Sequence, residues 1–424
     1  MLRIALKTIG CKLNQYETWQ MTHLLGKAEI VPFTEVADIY IVNTCTVTSN
    51  SDIRSRQLIR QAKRRNPLSK IIVTGCYAQI NPDALKTMDE VDIVLPNEDK
   101  QAIVKVLSRL LSIPLEVNEN EDKGGRMTNQ TRAFVKIQDG CDNSCSYCIV
   151  RIARGSQRSE NPDIIMQKVA RHCSQGCQEV VLTGIQLGGY GVELNPAISL
   201  ADLLLELGKV RGLQRLRLSS IEPMDFTPHL LEVLCSSRHI CPHFHIPLQS
   251  GDDDILRAMN RNYTVDEYRR IVMQLKEKLP HMGLGADVIV GFPGETESQF
   301  ENTWRLVKEL PFSYLHVFSF SPRQGTIAAQ MNNQVKPETI NQRSARLRDL
   351  AQQKKTSFQK SFAGQTLSVL IEKKKDIKMG LLTGLSENYL RIYFNGNEQD
   401  INRIAQVRVN ESRDHKLIGQ IING

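Results

Sequence analysis

Across residues 1–111, short β-branched runs alternate with amphipathic stretches. Residues 3–8, 39–43, 70–74 and 91–95 read as buried strands, and 14–26, 51–65, 82–88 and 100–111 as the helices between them. That order implies a parallel sheet covered on both faces. Periodicity stops over 112–130, where Asn118-Glu119-Asn120-Glu121-Asp122-Lys123-Gly124-Gly125 has the polar, glycine-bearing composition of a linker. It resumes with strands expected at 133–138, 179–183, 215–219, 243–247, 285–290 and 314–320, separated by helices such as 266–278 and 297–310. Six such units fit a partial parallel barrel, reactive at the strand C-termini, and equally a doubly wound sheet. Residues 336–362 are polar, basic and helical. Five strand-like runs follow at 366–372, 380–385, 389–394, 405–409 and 417–422, enough for a small OB-like β-barrel of the kind that binds oligonucleotides. The expected domains are therefore 1–111, a linker at 112–130, 131–362 and 363–424 in an α/β chain with a β-barrel at its end.

Composition narrows the class. With 41% hydrophobic and 24% charged residues, the 424-residue chain is neither disordered nor fibrous. Its net charge of +8 permits a nucleic-acid partner without requiring one. No apolar run approaches the ~18–20 residues of a membrane span, so a cytoplasmic address and no membrane partner are expected. In that reducing compartment ten cysteines point to metal or redox chemistry before disulfides.

The densest cysteine pattern is Cys141-Asp142-Asn143-Ser144-Cys145-Ser146-Tyr147-Cys148, directly after a strand and Asp139-Gly140. Gly, Asp, Asn and Ser favour a loop on which three thiolates converge. Three ligands to a four-iron cube leave one iron open to a small molecule, whereas structural zinc normally takes four. Cys11, Cys45 and Cys76 follow the first three expected strands in turn, so a parallel sheet would bring them to one edge as a second triad. Cys173 and Cys177, four apart on an expected helix, and Cys235 and Cys241, flanking the fourth barrel strand, read as core positions. A structural-zinc RNA-binding protein without catalysis is the contrasting class.

Here the sequence resembles the radical S-adenosylmethionine (SAM) superfamily, and within it the methylthiotransferases. The resemblance is carried by Gly10-Cys11-Lys12-Leu13-Asn14-Gln15, Val42-Asn43-Thr44-Cys45-Thr46-Val47-Thr48, Thr74-Gly75-Cys76-Tyr77-Ala78-Gln79, the Cys141–Cys148 loop and Arg154-Gly155. Arg217-Leu218-Ser219-Ser220-Ile221-Glu222-Pro223, His245-Ile246-Pro247-Leu248-Gln249-Ser250-Gly251 and Gly291-Phe292-Pro293-Gly294-Glu295-Thr296-Glu297 extend it, and the final barrel resembles a TRAM domain. Arg151 departs from the pattern, which often has proline there.

The resemblance implies two 4Fe–4S clusters, one on Cys141, Cys145 and Cys148 that chelates SAM, and one on Cys11, Cys45 and Cys76 that supplies sulfur. It also implies two SAM per turnover, as radical source and as methyl donor, and an electron donor such as flavodoxin or ferredoxin. The wording around the first cluster ligands is similar to the MtaB branch. That branch adds methylthio to C2 of N6-threonylcarbamoyladenosine at position 37, in the anticodon stem-loop of tRNA. Neighbouring branches use isopentenyl-adenosine in tRNA or an aspartate of a ribosomal protein. Tyr147 resembles the aromatic that packs near adenine, and Gln186 follows the second barrel strand, where such enzymes hold the methionine amino group. Ser220 and Glu222, His245 and Gln249, and Asp287 sit on or after the third, fourth and fifth barrel strands and are expected at the barrel mouth. Tyr147, Gln186, Ser220, Glu222, Gln249 and Asp287 are the expected SAM contacts; no catalytic acid or base is assigned.

The stretch after Cys45 carries Arg54, Arg56, Arg60, Lys63, Arg64 and Arg65 against Asp52 alone, an expected phosphate-contacting face. Arg343, Arg346, Arg348, Lys354 and Lys355, with Lys373-Lys374-Lys375, extend the same expectation.

Overall fold

A computed structural model describes residues 1–26, 28–111, 131–413 and 415–422; the linker expected at 112–130 lies outside the described residues. The chain forms two compact units. One comprises Met1–Gly125, Asp139–Gln157 and Ser321–Ala329, and the other Arg126–Gln138, Arg158–Phe320 and Gln330–Gly424. The Cys141–Cys148 loop therefore groups with the N-terminal sheet, a grouping that chain order alone does not suggest.

The first unit is built on five parallel strands: β1 (Arg3–Thr8), β2 (Glu29–Val31), β3 (Ile39–Thr44), β4 (Lys70–Gly75) and β5 (Ile93–Val94). Their order is β2-β1-β3-β4-β5. Alternation along β3 shows how both faces are covered. Ile39 and Ile41 join one apolar cluster, while Tyr40 and Val42 join the other. All four side chains are fully buried, and each such burial is worth about 1.5–3 kcal/mol. The three-residue β2, with two of its residues exposed on the sheet edge, is not revealed by the periodicity. The order reverses between β1 and β3. The crevice beyond the strand C-termini at such a switch point is the usual ligand site of an open α/β sheet.

The second unit holds six parallel strands: β6 (Ala133–Lys136), β7 (Glu179–Thr183), β8 (Arg215–Leu218), β9 (His243–His245), β10 (Gly283–Val290) and β11 (Tyr314–Ser319). They pair as β8-β7-β6 and β9-β10-β11, and a parallel bridge from Leu216 to Ile240 links the two sets. Strand order thus follows chain order without reversal, which selects the partial barrel over the doubly wound sheet. One large apolar cluster, from Ala133 to Leu350, fills the space between the strands and their helices.

Five further strands, β12 (Thr366–Lys375), β13 (Leu382–Ser386), β14 (Arg391–Phe394), β15 (Ile404–Arg413) and β16 (Lys416–Ile421), close into a small barrel. Fully buried Arg217 ties it to the six-stranded sheet. Its Nε and Nη2 reach the Glu179 carboxylate at 2.7 and 3.1 Å, and its remaining donors reach the carbonyls of Glu387 and Ser386 at 2.8 and 3.1 Å. Cys173 and Cys177 both lie in the core as expected. Cys177, however, sits past the end of the helix Pro162–Ser174, beyond the turn at Gly176, where φ is +78°. Cys235 and Cys241 both precede β9, so they do not flank it.

Candidate functional site

All six motif cysteines lie in the first unit. Cys11 follows β1, Cys45 follows β3 and Cys76 opens the helix after β4, so the triad stands along the edge that contains the switch point. Glycines make the approach possible. Gly10 adopts φ +106°, and a Cβ there would lie 2.8 Å from the Cys45 Cβ and 3.1 Å from its Sγ. Gly75, at φ +99°, runs so close to Thr44 that a Cβ would meet its carbonyl oxygen at 2.3 Å. Asn14 fastens the first two turns, donating from Nδ2 to the carbonyls of Ile9 (2.8 Å) and Thr44 (3.0 Å). Cys45 and Cys76 are buried and Cys11 is exposed. Burial, reinforced by the neighbouring thiols of Cys76 and Cys11, pushes the Cys45 thiol up to about 11. Ligation by a metal is what would make such a group a thiolate at neutral pH.

The second triad sits on a clasped loop. The Cys141 N–H donates to the Gly155 carbonyl at 3.1 Å, and a turn closes from the Cys148 N–H to the Cys145 carbonyl at 3.1 Å. Gly140 (φ +70°) and Gly155 (φ +72°) form the neck, where a Cβ on Gly140 would sit 2.0 Å from the Ser156 oxygen. Cys141, Cys145, Cys148 and Tyr147 are all half-buried. Arg151 stands exposed in the first turn of the short helix Val150–Arg154, a place where proline would be accommodated as well.

Buried charges join the two triads. Arg154 donates from Nη1 to Glu17 Oε1 (2.7 Å) and Asp139 Oδ1 (3.0 Å), and from Nη2 to Asn14 Oδ1 (2.5 Å) and Glu17 Oε2 (3.2 Å). Lys100, also buried, pairs with Glu17. Despite its burial, Glu17 is held below the usual carboxylate range by Lys100 and Arg154. On the Cys45 side, Arg323 donates from Nη2 to Thr46 Oγ1 (2.7 Å) and Asp52 Oδ2 (2.5 Å). Sequence reasoning placed Arg154 in a motif but gave it no partner, and it missed Glu17, Lys100 and Arg323. Three thiols per triad, gathered around glycine clearances beside a buried guanidinium, suit an anionic iron–sulfur group with one iron left without a protein ligand.

The other expected SAM contacts lie in the second unit. Gln186 follows β7, and its N–H donates to Gln138 Oε1 at 2.8 Å. Ser220 and Glu222 follow β8, with Glu222 paired to Arg261. Gln249 is buried at φ +61°, the left-handed region a non-glycine residue enters at a cost of order 1–3 kcal/mol. Asp287 lies in β10, bonded to two histidines described below.

Asp225, which no motif flags, stands among them. Burial, with the Glu222 carboxylate adding to it, pushes its carboxyl up to about 7, against opposing effects of Arg261 and Gln186. Since its folded value exceeds the unfolded one, folding favours the protonated form. Stability should therefore fall as pH rises from about 4 and level off above about 7, by a total on the order of 4 kcal/mol. Asp225→Asn should escape that loss. Its stability advantage over wild type in denaturant titrations should widen across this range; a constant gap would refute the assignment.

The basic stretch is less available than expected. In the helix Ser49–Arg65, Arg56 donates to the Tyr77 hydroxyl (2.7 Å), Lys63 to the Ser69 carbonyl (2.9 Å) and Arg65 to the Phe33 carbonyl (2.6 Å). Arg54, Arg60 and Arg64 stay exposed. In the helix Pro337–Lys360, Arg343 pairs with Glu295 and Glu297, Arg346 pairs with Glu297 and Glu301, and Lys354 caps the carbonyls of Lys308 and Leu310.

Three family profiles match: the radical SAM superfamily over residues 135–307, an uncharacterized protein family designated UPF0004 over 3–96, and the TRAM domain over 360–422. The threonylcarbamoyladenosine tRNA methylthiotransferase MtaB of Bacillus subtilis is 38% identical over 96% of this chain and 94% of its own length. The protein of the same name from Thermotoga maritima is 36% identical over 99% of this chain and 96% of its own. A tRNA-2-methylthio-N(6)-dimethylallyladenosine synthase of Oceanobacillus iheyensis is 33% identical over 99% and 84%. Among solved structures, the radical SAM methyltransferase TsrM of Kitasatospora setae shares the fold, with a TM-score of 0.56 at 14% identity over 78% of this chain and 77% of that one. Among the described residues, no helix is long and apolar enough to cross a membrane.

Proposed function

This chain belongs to the radical SAM tRNA methylthiotransferases, and from that premise we propose that it adds methylthio to C2 of N6-threonylcarbamoyladenosine at position 37, using two 4Fe–4S clusters. The observation that carries this reading is the gathering of both cysteine triads in one compact unit, tied by the buried Arg154–Glu17–Lys100 network. When bound, the cluster on Cys141, Cys145 and Cys148 supplies the electron that cleaves SAM, and that on Cys11, Cys45 and Cys76 supplies sulfur for methylation by a second SAM.

The protein's own part is to hold and orient. Gly10 and Gly75 clear space at the switch point, Asn14 fixes the turns that present Cys11 and Cys45, and Arg154 brings positive charge to the Cys11 and Cys76 thiols. Tyr147, Gln186, Ser220, Glu222 and Gln249 are our assignments for SAM. Asp287, the sixth residue expected there, has both histidine neighbours on Oδ1 and is given a role toward the substrate through its other oxygen below. The closed barrel and the exposed Arg54, Arg60 and Arg64 serve the tRNA, the electron donor is a flavodoxin- or ferredoxin-like protein, and the location is the cytoplasm. A three-part division into 1–111, 131–362 and 363–424 is retained as the functional organisation.

The decisive experiment incubates anaerobically reconstituted enzyme, a reductant and SAM with tRNA carrying either threonylcarbamoyl- or isopentenyl-adenosine. Methylthiolated threonylcarbamoyladenosine and 5′-deoxyadenosine should form together; product on the isopentenyl substrate alone would overturn the reading in favour of the neighbouring branch. Reversing Arg60 and Arg64 to glutamate should weaken tRNA binding and reduce its salt slope by roughly 1–2. An unchanged slope would remove this helix from the RNA surface.

A further inference from the structure

Three neighbouring strands of the second unit, β9, β10 and β11, bring together His245, Asp287 and His316, whose ligand atoms all lie within 4.8 Å of one another. His316 is the direct register partner of Asp287. His245 Nε2 and His316 Nδ1 each stand 3.0 Å from the same carboxylate oxygen, Asp287 Oδ1. Behind them the Tyr314 hydroxyl lies 3.2 Å from His245 Nδ1 and 2.9 Å from His243 Nε2, and Gly285 leaves room for the Tyr314 ring. The anionic Asp287 sets the tautomers. A carboxylate only accepts, so the facing His245 Nε2 and His316 Nδ1 carry protons. That leaves His245 Nδ1 to accept from the Tyr314 hydroxyl and that hydroxyl to accept from His243 Nε2.

This arrangement opens outward. Side-chain exposure climbs from 13% at His245 through 28% at Asp287 to 56% at His316. Among the described residues, Asp287 Oδ2 and His316 Nε2 take part in no hydrogen bond. Both are acceptors in these tautomers, so the cluster offers a pair of acceptors backed by a rigid polar column. Although burial opposes ionisation, hydrogen bonds from the two histidines hold the Asp287 carboxyl well below the usual range, and it stays anionic. Two imidazoles and a carboxylate can also bind a divalent ion. Here the nitrogens facing Asp287 carry the protons it accepts, which favours an organic donor as the ligand.

We propose that Asp287 and His316, positioned by His245 and Tyr314, receive the N–H and O–H donors of the threonylcarbamoyl arm of the substrate adenosine. The inference rests on the functional reading above and deepens it. The ureido N–H groups and the threonyl hydroxyl match an acceptor pair. An isopentenyl chain brings only hydrocarbon, so it would strip water from both acceptors without replacing it, at about 1–3 kcal/mol for each group. For the two groups together that converts to roughly 30-fold discrimination or more.

The test uses the full, reconstituted chain with His316→Phe and His316→Asn, the latter placing an amide N–H where Nδ1–H stands. For tRNAs bearing each modified adenosine, kcat/KM is measured alongside SAM affinity by equilibrium dialysis and total metal content. His316→Phe should lower kcat/KM on the threonylcarbamoyl substrate about 10-fold or more and shift the ratio toward the isopentenyl substrate, with SAM affinity unchanged. His316→Asn, which restores the donor to Asp287 but not the Nε2 acceptor, should recover only part of the loss. An unchanged substrate ratio would overturn the proposal. So would a parallel fall in SAM affinity, which would place the cluster at the cofactor, or loss of a divalent ion beyond the cluster iron, which would make it a metal site. If wild type itself makes no product on the threonylcarbamoyl substrate, the functional reading fails first, and that result is distinct from any of these.

Discussion

Exchanging Cys45 for serine should halve the iron the protein holds, from about eight to about four atoms per chain, and abolish methylthio product. Cys45 is buried, with its thiol pushed up to about 11 chiefly by that burial. Serine matches it in size, so the fold should persist, but its hydroxyl does not become a ligand anion at neutral pH. Cys145→Ser should remove the other four irons. A variant lacking both should bind essentially none, and its circular dichroism and tRNA binding should match wild type. Iron analysis after anaerobic reconstitution reads all three proteins. If either single exchange removed all the iron, the six thiols would form one site, and the division into two triads would fall. If Cys45→Ser left iron at the wild-type level, the N-terminal cysteines would be small buried side chains and no more.

The triad at Cys11, Cys45 and Cys76 was legible because each cysteine follows a strand that local periodicity marks, and parallel strands end on one edge. The reversal of strand order between β1 and β3 was not, since it depends on where β2 pairs, and β2 has three residues. Chain-order reasoning placed the Cys141 loop with the barrel strand it follows, whereas packing groups it with the sheet that carries the other triad. Long-range electrostatics left even less trace. Glu17 meets Lys100 and Arg154 across 83 and 137 residues, separations no motif spans. The barrel cluster depended on cross-strand register: His316 is opposite Asp287 only because β10 and β11 pair that way. The basic helix shows the reverse error. Its charge density was visible, but Arg56, Lys63 and Arg65 turn to partners within the fold.

Replacing Arg154 by methionine should be the most destabilising single change in the first unit. Its guanidinium is 3% exposed and satisfies Glu17, Asp139 and Asn14 together. Methionine fills similar space but leaves the Asp139 carboxylate without this partner and Glu17 with Lys100 alone. Stranding buried charges in this way typically costs about 3–5 kcal/mol. In a unit of this size that corresponds to a drop in Tm on the order of 10 °C. Neutralising the stranded acid should return part of it, so Arg154→Met with Glu17→Gln should lose less than the two single variants added together. Arg154→Lys keeps the charge but not the forked geometry that reaches three side chains, and it should fall between. The effect should also reach the metal sites. Arg154 lies near the Cys11 and Cys76 thiols, so iron retention after gel filtration should decline in Arg154→Met in parallel with Tm. Thermal unfolding followed by circular dichroism, with iron assayed on the same samples, measures both. A variant that melts within about 2 °C of wild type would show that Glu17 and Asp139 are satisfied without this arginine. The buried network would then not be what holds the two cysteine triads together.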